Sequence, residues 1–229
     1  AKPKMTLKKM QGLIKIRKKL PTLIAIPTTA GSGSETTVAA VIVDSMTHHK
    51  YVINDFCLIP EYAVMMPSVT ISLPQHITAI TGMDALTHAM EGYITKAGWL
   101  IPDMFHINAM ALIYKNLEAA VLEKDNLAIE KMAYAQYIAG MGFSNVGLGI
   151  VHSMAHSLGA FFDTPHGVAN ALLLPHVLKF NGKVCPDLYR NMGVSFGLDM
   201  TNTTDEEAVD KVVEAVKELS IKLGIPQTL

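Results

Sequence analysis

The chain has 229 residues, of which 50% are hydrophobic and 17% charged, a composition that fills a sizeable core and excludes an intrinsically disordered protein. The formal net charge of −1 argues against a dedicated nucleic-acid-binding protein. The two cysteines, Cys57 and Cys185, are far apart in the sequence, so neither a disulfide framework nor a cysteine metal site is indicated and a reducing, cytoplasmic setting is expected.

The amino-terminal arm is strongly basic. The first 19 residues carry eight Lys or Arg and no acidic residue, which leaves a charge of −9 for the remainder. Such an arm could bind phosphate or an anionic surface. Because it lacks the interleaved aromatic residues of nucleic-acid-binding surfaces, we favour a solvated helix whose apolar side chains turn inward. Those side chains are Leu7, Met10, Leu13, Ile14 and Ile16.

Short strand-like runs follow. Residues 20–29 (LPTLIAIPTT) form an apolar run bounded by prolines, which is typical of a buried strand. The loop over residues 30–35 (AGSGSE) has two glycines whose backbone amides could approach a phosphate or a ring closely, although such loops are usually simple turns. Residues 38–44, 50–54 and 62–66 indicate further short strands with polar connections.

The pattern changes to helical spacing at residues 67–74 (PSVTISLP), where we place a domain boundary. Pro74 is expected to start the first helix. Helical periodicity then predicts helices in several segments. These are residues 82–94, 105–122, 127–141, 168–181 and 205–223.

The segment over residues 147–170 (GLGIVHSMAHSLGAFFDTPHGVAN) contains three histidines. His152 and His156 are four residues apart, so on a helix they share a face and could bind one ion. Residues 132–162 contain no Lys, Arg, Asp or Glu, which predicts a buried helix. The run is long enough for a membrane span, but its histidines, serines and five glycines argue against one.

An isolated HxxxH pair is more often two core histidines than a metal site. A third histidine shifts that balance toward a metal site: His166 lies where a turn opens a new helix, with Thr164 as the expected cap and Pro165 at the first helical position. Asp84 and His88 form another pair at helical spacing, and a buried acidic residue is costly unless it is paired or bound to a cation. One Asp with several imidazoles suits Fe(II), Zn(II), Mn(II) or Co(II).

Three stretches carry a resemblance to a known family. They are IPTTAGSGSE (26–35), LPQHITAITGMDALTHAMEGYIT (73–95) and GLGIVHSMAHSLGAFFDTPHGVANALLLPH (147–176). The chain resembles the iron-dependent (group III) alcohol dehydrogenases over nearly all of its length after about Leu20. The resemblance implies a fold of α/β plus all-α class, similar to that of dehydroquinate synthase. Residues 1–73 would be the remnant of a dinucleotide-binding α/β domain and residues 74–229 a mostly helical metal-binding domain. The GGGS phosphate loop of the family is absent, so the chain looks like a truncated member.

The resemblance also implies roles for individual residues. It implies that four residues bind Fe(II), with zinc as a possible substitute, and that His156 lies near the nicotinamide on the proton path. Glu91 is either a partner of the ligands or a plain surface carboxylate. The implied metal ligands are Asp84, His88, His152 and His166. The implied contacts to NAD or NADP are Thr28, Thr29 and Ser32, with Thr37, Lys50 and Thr70 as further candidates.

The expected activity is hydride transfer between NAD(P) and a small primary alcohol or diol, or the corresponding aldehyde. The expected partners are that small molecule and a second copy of the chain in a homodimer, with no nucleic acid and no membrane. Two alternatives stay open: a metal-dependent lyase or hydrolase of the same superfamily, and a metal-binding fragment without activity. Against the first alternative, the segment near the histidines has no Lys/Arg cluster for a substrate phosphate, and Met154, Phe161 and Phe162 predict a small apolar pocket.

Overall fold

The first part of the chain contains short strands in the computed structural model, which describes residues 5–47 and 50–228. Strand β1 pairs parallel with β4, β3 pairs antiparallel with β4, and β2 and β5 form a separate parallel pair. The predicted strands at 38–44 and 50–54 are confirmed, whereas the run at 62–66 is a strand only over its first two residues. The elements are α1 (Leu7–Met10), β1 (Gly12–Leu13), β2 (Ile24–Ala25), β3 (Ala39–Val43), β4 (Lys50–Asn54) and β5 (Tyr62–Ala63).

The predicted amino-terminal helix is wrong beyond its first turn. Gly12 and Ile14 have positive φ angles of 102° and 50°, a conformation that interrupts a helix, and Ile14 N instead donates to the Asn54 carbonyl. Of the side chains expected to turn inward, Met10 and Ile16 are buried, while Leu7, Leu13 and Ile14 are exposed. Lys2 and Lys4 of the basic arm lie outside the described residues.

The buried strand expected over residues 20–29 is also wrong. Only Ile24 and Ala25 form a strand, and the Ile24 side chain is 58% exposed. Among the described residues β5 is the sole strand beside β2. The apolar residues at 20–29 therefore have few neighbouring elements that could bury them.

The rest of the chain is helical. The predicted helices correspond to α2, α3, α4, α6 and α8, although α3 begins five residues earlier and α4 ends five residues later than expected. Helix α7 was not predicted, yet its buried residues Tyr189, Met192, Gly193 and Phe196 have the i, i+3, i+4, i+7 spacing of an amphipathic helix. The helices are α2 (Gln75–Ile94), α3 (Leu100–Leu122), α4 (Asn126–Val146), α5 (Ile150–Phe162), α6 (His166–Asn181), α7 (Pro186–Phe196) and α8 (Asp205–Lys222).

Helix α2 runs through the middle of the main core. Every residue from Gly82 to Tyr93 is buried, because α3, α4 and α6 pack around it. Its Met83, Leu86 and Met90 are fully buried, and burial of each contributes about 1.5–3 kcal/mol. Polar residues in this stretch are removed from water on all sides and therefore need partners inside the protein.

The sequence predicts that α5 is buried, but in the structure only one face of the helix is buried. Val151, His152 and Ala155 are buried, but Met154 and Phe161 on the opposite face are exposed. The absence of charged residues therefore did not imply burial on all sides. Across the described residues, no helix is both long and apolar enough to cross a membrane.

Two hydrophobic clusters divide the chain. The large one consists mostly of helical residues and also includes Ala30, Met200, Leu223 and Ile225. The small one contains Met10, Ile16, Tyr51 and Ile53 of the sheet region. The boundary between residues 73 and 74 stays a prediction.

Candidate metal centre

Three polar side chains of α2 face the interior at one-turn intervals. Asp84, His88 and Glu91 are all buried, and the i, i+4, i+7 spacing places them along one side of the helix. Since burial of an unpaired carboxylate costs several kcal/mol, Asp84 and Glu91 both need compensation from neighbouring elements.

Helices α5 and α6 bring two further imidazoles to Asp84. Its Oδ1 atom lies 3.8 Å from His88 Nε2, 3.6 Å from His152 Nε2 and 3.6 Å from His166 Nε2. His166 is the first residue of α6, with Pro165 as its N-cap, so the expected cap, Thr164, is displaced by one position. The structure thus brings the three predicted histidine ligands around one oxygen of the fourth predicted ligand, Asp84.

The donor set fits a single divalent ion. Four ligand atoms at about 2.1 Å from an ion in tetrahedral geometry lie about 3.4 Å from one another, close to the separations around Asp84 Oδ1. The ligand atoms of Asp84, His88 and His152 all lie within 4.8 Å of one another. His166 is not part of that group, and its place at the centre rests on the 3.6 Å distance from its Nε2 to Asp84 Oδ1. The His166 side chain is 35% exposed, so this side of the centre is open to a substrate.

The protonation states also suit a metal. Burial raises the pKa of Asp84, but the adjacent His88, His152 and His166 outweigh it and hold that pKa below its usual range. Burial lowers the pKa of His88 to about 4. The carboxylate is therefore ionised and His88 neutral at pH 7, which are the forms that bind metal ions.

Glu91 orients His152. Its carboxylate accepts a hydrogen bond from His152 Nδ1 at 2.7 Å and from the backbone N–H groups of Gly149, Val151 and His152 at 3.1, 2.7 and 3.3 Å. At 1% exposure Glu91 is not a surface carboxylate, which resolves the alternative left open above. It caps the first turn of α5 and directs His152 Nε2 toward Asp84, as carboxylates do for metal-binding histidines.

Asn170, one turn after His166 on α6, completes the cluster. Its Nδ2 atom lies 2.6 Å from Asp84 Oδ1, 3.1 Å from His152 Nε2 and 3.2 Å from His166 Nε2. Neither charge nor composition marks Asn170 in the sequence, although its i, i+4 spacing from His166 is a signal that points to it.

The proton of His152 is assigned from these contacts. Burial lowers the pKa of His152, but Asp84 and Glu91 raise it above its ordinary value. A proton on Nε2 would point at the Asn170 amide group, which is a donor only. The raised pKa means that a metal ion at Nε2 competes with a proton there. In the neutral ring, which is the form that binds a metal ion, we place the proton on Nδ1, toward Glu91.

His156 lies beside the centre. Its ring stacks on His166 with centroids 5.2 Å apart, and its centroid is 6.2 Å from that of His152. Burial, together with the nearby charge of His166, lowers the pKa of His156 to about 4, so the ring is neutral at pH 7. The sequence spacing gave His152 and His156 equal weight, whereas the structure directs only His152 toward Asp84.

The six predicted cofactor contacts do not line one cavity. Thr29 and Thr70 border a small cavity with Ala30, and Lys50 borders an open cleft with His166, Phe161 and Phe162. Phe161 and Phe162 are largely exposed there, and the third expected pocket residue, Met154, is not part of the cleft lining. Ser32 Oγ contacts Ser34 Oγ and Thr37 Oγ1 donates to backbone carbonyls, while Thr28 is exposed.

The loop that carries several of these residues is held against the helices. Gly33 N donates to Gln136 Oε1 on α4 at 2.8 Å, and Gln136 Nε2 donates to Glu35 Oε1 at 2.5 Å. Ala30 N donates to Thr81 Oγ1 on α2. The loop therefore lies against α4 and against α2, the helix that carries Asp84 and His88.

Comparison with known proteins places this arrangement among related chains. Residues 78–229 match the model of the Fe-containing alcohol dehydrogenase family, C-terminal, and residues 3–67 match that of iron-containing alcohol dehydrogenase. The chain is 46% identical over 221 residues to lactaldehyde reductase from Escherichia coli strain K12, covering 96% of this chain and 57% of that protein.

Solved structures agree in fold. An alcohol dehydrogenase from Oenococcus oeni superposes with a TM-score of 0.95 at 38% identity, covering 97% of this chain and 58% of that one. A sulfoacetaldehyde reductase from Bifidobacterium kashiwanohense in complex with NAD+ superposes with a TM-score of 0.85 at 30% identity, covering 98% and 58%. The chain thus spans little more than half the length of the proteins that it matches.

Proposed function

Because the chain belongs to the iron-containing alcohol dehydrogenase family, we propose that the protein interconverts a small primary alcohol or diol and its aldehyde with NAD(P). The observation that carries the proposal is the approach of three imidazole nitrogens to within 3.8 Å of Asp84 Oδ1 in a buried site. Asp84, His88, His152 and His166 are the proposed ligands of one Fe(II) ion, and zinc is compatible with the same donors.

The bound ion would supply Lewis acidity to the substrate oxygen, and the nicotinamide would accept or give the hydride. The residues of the chain bind and orient these groups. Asp84 provides the negative charge that a divalent cation needs in a buried site, and Glu91 holds His152 in the tautomer whose Nε2 lone pair faces the centre.

His156 is the proposed proton carrier. Its ring is neutral at pH 7 because its pKa is about 4, so a ring nitrogen is available as a hydrogen-bond acceptor for the proton of the substrate hydroxyl on its way to solvent. Its position next to His166, on the exposed side of the centre, supports this role.

The proposed cofactor contacts are Thr28, Thr29 and Ser32, with Thr37, Lys50 and Thr70 as further candidates. Support comes from the packing of the glycine loop against α2 and α4 and from Lys50 at the cleft beside His166. The NAD+ complex of the sulfoacetaldehyde reductase supports a nicotinamide cofactor.

Lactaldehyde is the proposed representative substrate, because the named activity of the Escherichia coli relative is its reduction. The protein is further proposed to be cytoplasmic, since Cys57 and Cys185 are both free thiols. Homodimerisation is proposed from the resemblance to the family.

The test is the absorbance at 340 nm during anaerobic incubation with propane-1,2-diol, NAD or NADP, and added Fe(II). We expect a rise in absorbance that requires the metal, is lost in Asp84→Asn and falls at least 100-fold in His156→Ala. Turnover that survives Asp84→Asn would contradict the proposed centre. Metal binding without turnover would favour the inactive fragment.

A further inference from the structure

One donor group in the centre contacts three of the four proposed ligands. Asn170 is fully buried, and its Nδ2 lies within 3.2 Å of Asp84 Oδ1, His152 Nε2 and His166 Nε2. An amide NH₂ group has two protons and no acceptor lone pair, so it donates one hydrogen bond to Asp84 Oδ1 and shares the other proton between the Nε2 lone pairs of neutral His152 and His166. A metal ion needs the same lone pairs.

The orientation of the Asn170 amide follows from its neighbours. A flipped amide would place its oxygen 2.6 Å from Asp84 Oδ1, where two acceptor oxygens repel each other. In the orientation observed, Asn170 Oδ1 has no hydrogen-bond partner among the described residues. The amide is thus held by the contacts of its nitrogen to the centre.

We propose that Asn170 is a positioning residue that takes the place of the cation in the ion-free protein and yields its histidine contacts when the ion binds. The inference rests on the proposed metal centre and adds a residue that competes with the ion. An imidazole nitrogen has one lone pair in the ring plane, so His152 and His166 cannot accept from Asn170 and bind an ion at once. Asp84 Oδ1 has a second lone pair and keeps its hydrogen bond.

This competition predicts the direction in which the affinity for the ion changes when the amide is removed. Removing the amide takes two donated hydrogen bonds from the ion-free state, one to Asp84 and one shared by the two histidines, and only the bond to Asp84 from the ion-bound state. The ion-free state therefore loses more stability, and the affinity for the ion rises. A residue that only supports the fold would weaken both states equally and leave the affinity unchanged.

The experiment measures the zinc dissociation constant and the urea unfolding midpoint of this chain with and without Zn(II), in the parent and in Asn170→Leu. We expect Asn170→Leu to bind Zn(II) about tenfold more tightly, which corresponds to about 1.4 kcal/mol and to the net loss of one hydrogen bond. Its unfolding midpoint should fall more without zinc than with it. The matched control is Asn116→Leu, which removes an amide bonded to Leu112 O on α3, away from the centre.

A second variant tests the same inference by adding a negative charge at position 170. Asn170→Asp places a carboxylate beside Asp84, so we expect a further loss of ion-free stability and more than tenfold tighter zinc binding. Unchanged or weaker zinc binding by Asn170→Leu, with zinc bound normally by the parent chain, overturns the role of Asn170 alone. Absence of zinc binding by the parent overturns the proposed centre and this inference with it.

Discussion

Glu91 shows how one carboxylate can serve both a helix and a ligand. It accepts the first backbone N–H groups of α5 and the Nδ1 proton of His152. The bond to His152 and the backbone donors hold the pKa of Glu91 below its usual value against the effect of burial. Stability of α5 and orientation of His152 are therefore coupled through a single side chain.

Glu91→Gln should impair both functions at once. The amide keeps one acceptor oxygen in place of two, so we expect zinc affinity to fall about 10- to 100-fold and the free energy of unfolding to fall by about 2 kcal/mol. Zinc titration and urea unfolding check these values. Glu214→Gln, on the exposed surface of α8, is the matched control, and equal behaviour of the two variants would contradict the coupling.

At the residue scale, helical spacing brought Asp84 and His88 to one face and marked His152 as a candidate. It could not separate His152 from His156, because the two are equivalent in spacing and differ only in which neighbours surround them. Asn170 was missed since an uncharged amide stands out in no composition or charge pattern.

At the element scale, His106 of α3 lies against Gly92 of α2 and Gly142 of α4. A Cβ at Gly92 or at Gly142 would come within 2.3 Å of His106 Nε2, so only glycine leaves room for the ring. Neither ring nitrogen has a hydrogen-bond partner among the described residues, which makes this an uncompensated polar group inside the core.

His106→Leu should make the protein less sensitive to acid. Burial lowers the pKa of His106 from 6.5 to about 4 in the folded protein, so between these values the unfolded chain binds more protons. Above pH 6.5 His106 is neutral in both the folded and the unfolded protein and adds no pH dependence. Below pH 6.5 the free energy of unfolding decreases as the pH falls toward 4, by about 3 kcal/mol in total.

Urea unfolding at pH 7 and pH 4.5 measures this effect. The parent should lose about 2–3 kcal/mol more than His106→Leu between these two pH values, while His176→Leu, on the exposed side of α6, should behave like the parent. An equal pH dependence of all three proteins would contradict the account of His106.

Gly167→Ala tests the close packing of α6 against α2. A Cβ at Gly167 would lie 2.3 Å from the Ile80 carbonyl oxygen, and that backbone atom cannot move aside cheaply. We expect α6 to shift, carrying His166 and Asn170 away from Asp84, with a loss of about 1–3 kcal/mol in stability and at least tenfold weaker zinc binding. Zinc binding equal to that of the parent would show that the contact is relieved elsewhere.

Sequence periodicity predicted the existence of most helices and missed α7 and the true extent of α3 and α4. The missed ends lie where Pro102 and Gly142 occur inside helices, residues that usually mark helix ends in sequence analysis. The exposed face of α5 could not be predicted either. The hydrophobicity of a side chain indicates that burial would be favourable, but it does not show whether another element packs on that side chain.

At the scale of the whole molecule, the main core is built almost entirely from the helices. Of the described residues before position 74, Ala30 alone belongs to that cluster, and the sheet region has its own small cluster. Composition predicted a sizeable core, but it could not predict that two unequal cores would form or that the loop at 30–36 would pack against α2 and α4.

Residues 74–229 should therefore fold alone. We expect this segment to unfold cooperatively, to bind zinc within about threefold of the full chain and to be less stable by about 2–3 kcal/mol, because the hydrogen bonds from the loop to Gln136 and Thr81 are lost. Circular dichroism, urea unfolding and zinc titration check these expectations. An unfolded segment would show that the boundary between residues 73 and 74 is misplaced.

The most direct test of the central claim is X-ray absorption spectroscopy of the zinc-loaded protein. The account predicts one zinc ion per chain with nitrogen and oxygen ligands alone at about 2.0–2.1 Å, scattering from three imidazoles, and loss of the ion in Asp84→Asn. Sulfur in the ligand shell, fewer than three imidazoles, or an unchanged spectrum in Asp84→Asn would contradict it.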